Sequence, residues 1–77
     1  MARVRYFAAA EEAAGRDEET RSEPTLGALR VAVAQEYPGL VGILPRCAVL
    51  VDGERVDDDT ALGDDEVVDV LPPFAGG

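Results

Sequence analysis

The residues best placed to do chemistry lie in the final run, Leu71-Pro72-Pro73-Phe74-Ala75-Gly76-Gly77. Pro72 and Pro73 cannot donate to a sheet and favour an extended polyproline II path, so they are expected to project the end of the chain away from the fold as a semi-rigid spacer. Phe74 is an apolar anchor of the kind that docks in a partner's pocket. Gly76 and Gly77 carry no side chains, so they can thread a channel too narrow for any other residue. From Pro72 onward the segment can reach roughly 20 Å. A carboxylate delivered that way can be activated by another enzyme as an acyl-adenylate and then converted to a thiocarboxylate, a soft sulfur nucleophile at neutral pH. The protein itself need supply only presentation. Gly-Gly alone would be weak support, because frayed chain ends share that composition.

Elimination points the same way. The chain has no histidine, which removes Ser-His and Cys-His nucleophile pairs and imidazole metal ligands. It also has no lysine, which removes Schiff-base chemistry and the cation of a P-loop, so it should not bind ATP by itself. Cys47 opens the apolar run Cys47-Ala48-Val49 and is expected to be structural. The acidic stretch from Asp57 to Glu66 meets Ala61 where an EF-hand register needs an oxygen ligand, so a solvated loop and no metal site are expected. Glu11 and Glu12 are neighbours on a short helix and point about 100° apart, as surface carboxylates do.

A chain of 77 residues fits one domain, and one so small removes only about 60% of its unfolded surface from water. It leaves little room for a deep pocket of its own, which favours a carrier or binding role over a self-contained enzyme. Sixteen acidic residues against seven arginines give a net charge of −9. A field of that sign repels phosphate backbones and anionic lipid, so neither nucleic acid nor a membrane surface is expected as a partner. A basic protein partner is expected instead, unless the acidity serves solubility alone. No apolar run approaches the roughly 18 residues of a membrane span. With one unpaired thiol and no secretory signal, the expected location is cytoplasmic.

The elements that must position the tail can be read from pattern. Arg3 to Phe7 alternates as a strand. Ala8 to Ala14 predicts a short helix stopped by Gly15. Asp17 to Glu23 fits either an edge strand or a loop. Thr25 caps the main helix, in which Leu26, Leu29 and Val33 recur at spacings of three and four until Pro38-Gly39. Leu40 to Pro45 reads as a connector. Cys47 to Val51, Asp52-Gly53 and Glu54 to Val56 predict a tight hairpin, and Glu66 to Leu71 a last strand. One sheet and one main helix make a single α+β domain over residues 1–71, with 72–77 as a flexible Gly-Gly tail.

These residues in combination resemble the MoaD family, the small sulfur-carrier subunit of molybdopterin synthase in the MoaD/ThiS superfamily. The resemblance is carried by Asp64-Asp65-Glu66-Val67 with the final Leu71 to Gly77 run. It extends to Val4-Arg5-Tyr6-Phe7-Ala8, Thr25-Leu26-Gly27-Ala28-Leu29, Val51-Asp52-Gly53-Glu54 and Leu62. It implies a β-grasp, ubiquitin-like fold, with a mixed sheet of four or five strands on one main helix. It implies that a MoeB-like E1-type adenylyltransferase consumes ATP to activate Gly77, that a sulfur donor system installs the thiocarboxylate, and that no cofactor is bound by the carrier. A MoaE-like large subunit, in a heterotetramer, would then receive the tail and pass sulfur to cyclic pyranopterin monophosphate. The chain would be no enzyme on its own, because the active site would lie mainly in that large subunit. Gly77 would bear the sulfur, with Gly76 threading beside it. Phe7, Leu62, Pro72, Pro73, Phe74 and Ala75 are the partner-binding candidates, with core packing the competing role for Phe7 and Leu62. Three rivals stay open: a ThiS- or CysO-like carrier for thiazole, cysteine or a secondary metabolite, a ubiquitin-like protein modifier, and a passive interaction module.

Overall fold

Alternation in Ala2–Tyr6 buries Ala2, Val4 and Tyr6 and exposes Arg3 and Arg5, and this segment is strand β1. The computed structural model describes residues 1–73; the expectations placed on Phe74, Ala75, Gly76 and Gly77 lie outside the described residues. Helix α1, Ala9–Ala14, comes next and ends as the sequence predicts, with Gly15 in the left-handed conformation donating to the Glu11 carbonyl. Glu18–Arg21 is strand β2, antiparallel to β1 at the edge of the sheet, which decides between strand and loop.

The main helix α2, Leu26–Glu36, buries Leu26, Leu29 and Val33, and the Thr25 side chain caps it by accepting from the Ala28 N–H at 3.1 Å. Each such buried side chain contributes about 1.5–3 kcal/mol on leaving water. Two 3-10 turns, Pro38–Leu40 and Leu44–Arg46, bury Leu40 and Leu44 and carry the chain back to the sheet. Strand β3, Ala48–Val51, and the two-residue β4, Glu54–Arg55, flank a turn in which Asp52 and Gly53 have φ of 50° and 84°. Both positive values match the mirror-image turn that Asp-Gly favours. Strand β5, Val67–Leu71, runs parallel to β1 and antiparallel to β3, giving the order β2-β1-β5-β3-β4. The sheet is therefore mixed and five-stranded, and α2 packs on one face of it.

Gly27 looks misplaced in the first turn of α2, where glycine costs up to about 1 kcal/mol relative to alanine. Its reason is the loop that closes over the helix start. Leu26 and Gly27 donate to the carbonyls of Thr60 and Asp58 at 3.0 and 2.8 Å, and a Cβ on Gly27 would fall 3.0 Å from the Asp58 Cβ and 3.2 Å from its carbonyl oxygen. Overpacking of that kind costs about 1–3 kcal/mol. Gly27→Ala should therefore lower stability despite its better helix propensity, which urea denaturation would read as a lower midpoint at unchanged slope.

Under the far end of α2 sits a polar cluster. Glu19 accepts from the hydroxyls of Tyr6 and Tyr37 at 2.5 and 2.9 Å and pairs with Arg21. Burial and that carboxylate raise both phenols, Tyr37 to about 12. The cluster ties β1, β2 and the end of α2 together and leaves no reactive group exposed.

Candidate functional site

The site is the place where β5 ends, because everything the sequence assigns to chemistry lies beyond it. Val68 and Val70 point into the core while Val67, Asp69 and Leu71 point outward. Pro72 continues this alternation inward and is buried, and Pro73 is the first exposed residue after the strand. The expectation that both prolines project from the fold is corrected here: Pro72 is buried, and of the two prolines Pro73 is the exposed one.

Phe7 stands on the outward face beside this exit. Its N–H donates to the Val70 carbonyl at 3.2 Å, and the residue is 36% exposed. The Arg5 guanidinium lies 5.7 Å from the ring centroid while holding Asp69 in a two-pronged contact of 2.6 and 2.8 Å. That fork fixes Arg5, and Arg5 in turn covers one side of Phe7. Across the sheet Leu71 lies opposite Ala48, and Asp69 lies between Arg5 and Leu50. Phe7, Leu71, Ala48 and Leu50 thus make a band of apolar side chains on the face away from α2, interrupted by one ion pair. Next to it a groove of about 460 Å³ runs along Cys47, Ala48, Leu71, Pro72 and Pro73, with Arg46 and Arg55 at its sides.

Leu62 does not join this band. It is half-buried against the core, and its N–H donates to the Pro24 carbonyl at 2.9 Å. It precedes the start of β5, whereas Phe7 pairs with the end of that strand, so the length of β5 separates them. Leu62 packs against the core and is not brought together with Phe7 at the end of β5. Leu71, Leu50 and Ala48 are the residues that pattern reading missed. The signal was Asp69: one charge in the apolar run Val67 to Leu71 marks the outward positions of the strand.

Cys47 lines the groove, yet its S–H donates to the Ile43 carbonyl at 3.2 Å and burial pushes its thiol upward, away from the thiolate. Among the described residues no three side chains gather as metal ligands, and the acidic loop forms no such cluster. The described residues thus present an apolar face and, beside the end of β5, the groove.

A mixed five-stranded sheet packed on one main helix is the β-grasp, ubiquitin-like fold. Within that class the chain belongs to the ThiS family, whose sequence model matches residues 4–77. The MoaD resemblance is supported by solved structures. Subunit 1 in the complex of subunits 1 and 2 of the molybdopterin-converting factor from Helicobacter pylori is 31% identical at a TM-score of 0.73, covering 99% of this chain and 97% of that one. A protein assigned as molybdopterin converting factor subunit 1 from Pyrococcus furiosus is 26% identical at a TM-score of 0.85, over 95% of this chain and 97% of that one. The small archaeal modifier protein SAMP1 from Methanosarcina acetivorans is 23% identical at a TM-score of 0.87, over 99% and 95%, and shares the fold. No curated protein matches the sequence. No helix among the described residues is long and apolar enough to cross a membrane.

Proposed function

We propose that this chain is the sulfur-carrying small subunit of a molybdopterin synthase, working in the cytoplasm with a MoaE-like large subunit. The observation that carries the proposal is the family match running through residue 77, on a fold whose last strand ends beside an apolar band. The 31% identical subunit 1 bound to a subunit 2 supports a large-subunit partner.

In this scheme a MoeB-like enzyme holds ATP, and a Gly77 carboxylate oxygen attacks its α-phosphate, releasing pyrophosphate. A donor delivering sulfur at the sulfide level then attacks the acyl carbon, breaking its bond to AMP, which leaves, and the thiocarboxylate remains. The large subunit grips the band of Phe7, Leu71 and Leu50 while Phe74 and Ala75 enter its channel, and Gly76 lets Gly77 reach cyclic pyranopterin monophosphate. The carrier binds no cofactor throughout, and its own residues orient and exclude.

Intact mass spectrometry after incubation with ATP, a sulfur source and the activating enzyme tests this. One oxygen should be exchanged for sulfur at Gly77. A chain recovered unchanged, under conditions that load another carrier, refutes the proposal. The SAMP1-like fold keeps protein modification as a second reading, and adducts to target lysines in cell extract would favour it. With no lysine of its own, the chain could not extend such adducts through its side chains.

A further inference from the structure

Five of the seven arginines are held by carboxylates of this chain: Arg3 by Glu18, Arg5 by Asp69, Arg16 by Glu19, Arg21 by Glu19, Glu23 and Glu36, and Arg30 by Asp58. Arg46 and Arg55 alone pair with no carboxylate among the described residues, although the chain carries sixteen acidic residues. Both are exposed, and both flank the groove that Leu71, Pro72 and Pro73 line. They arrive there from different elements. Arg46 ends the second 3-10 turn, and Arg55 lies opposite Leu50 on β4. An unpaired arginine presents a planar fork of donors suited to a carboxylate, and two of them beside an apolar band make a cationic island on an otherwise anionic molecule.

We infer that Arg46 and Arg55 are a recognition pair for carboxylates on the rim of the protein partner that receives the tail. The inference rests on the carrier proposal for the identity of that partner. It reverses the expectation drawn from net charge, under which a basic partner would meet this chain. Net charge sets the far field, whereas the groove sets what is touched. The apolar band continues directly into the groove through Ala48 and Leu71, so a partner seated on one must border the other.

The test measures affinity for the source organism's homologue of molybdopterin-converting factor subunit 2, by calorimetry over a salt series, with three forms of the full chain. Arg46→Glu with Arg55→Glu should weaken binding on the order of tenfold or more and flatten its salt dependence. Arg46→Lys with Arg55→Lys should keep the salt dependence but lose part of the affinity, because lysine keeps the charge without the planar fork, and melting curves should show that both variants fold. A charge-reversed chain that binds as well as or better than the original overturns the inference, and tighter binding would mean a basic rim, or arginines that hold this chain's own terminal carboxylate. If the charge-reversed chain binds normally and Gly77 still accepts sulfur, this inference fails and the carrier proposal stands. If binding depends on both arginines while Gly77 is never converted, the carrier chemistry fails and the recognition pair stands. If the unaltered chain does not bind at all, both fail.

Discussion

A chain carrying one unremovable residue after Gly77 is expected to fold with unchanged stability and to lose thiocarboxylate formation and sulfur transfer by at least about a thousandfold. The packed body ends at Pro72, the last buried residue described, so nothing appended to the terminus changes the core. The chemistry has no such tolerance. One residue moves the carboxylate by up to about 3.5 Å, whereas a misplacement of about 1 Å is enough to cost a hundredfold when reacting atoms must align. The appended residue also brings a Cβ into a channel that Gly76 and Gly77 are suited to thread. Thermal melting and mass spectrometry of the incubated chain check the two halves separately. An extension cleavable by protease should restore loading once removed. Normal sulfur transfer by the uncleaved chain would show that the terminal carboxylate is not the working group.

Local chemistry made most of the fold legible. Asp52-Gly53 demanded a turn with two positive φ angles, Thr25 demanded a helix start and Gly15 a helix stop, and each effect acts within a few residues. What pattern could not resolve was which side chains share a surface, because that depends on pairings between distant strands. Phe7 and Leu62 are equally apolar in the sequence, yet β5 places one beside its end and the other before its start. Pro72 and Pro73 look alike as spacers, but the pleat of β5 turns the first inward. Charge is limited for a related reason. A total of −9 says nothing of where carboxylates spend themselves, and most of the arginines are consumed by neighbours before Arg46 and Arg55 are left at the groove. The helix cost of Gly27 was visible, while its cause, the approach of Asp58 from 31 residues further along, was not.

Two adjacent residues of β5 should therefore respond oppositely to the same substitution. Val70 is 2% exposed and sits among Val4, Val68 and Val49 in the core, so Val70→Asp buries a carboxylate with no partner. That costs several kcal/mol, a large share of the roughly 4–12 kcal/mol expected for a domain of this size, and Val70→Asp should show no cooperative thermal transition. Leu71 points to the other face, half-exposed and opposite Ala48. Leu71→Asp leaves the core intact and should melt within a few degrees of the original chain, about 1 kcal/mol or less in stability. Its loss should appear in binding: a charge set into the apolar band removes an anchor worth about 2 kcal/mol, on the order of 30-fold in affinity for the subunit 2 homologue. The double comparison separates folding from docking, which neither variant does alone. Should Leu71→Asp fold and bind as tightly as the original chain, the band of Phe7, Leu71 and Leu50 is not where the partner sits. Should Val70→Asp fold while Leu71→Asp collapses, the two faces of β5 are reversed and the exit of the tail lies on the wrong side of the sheet.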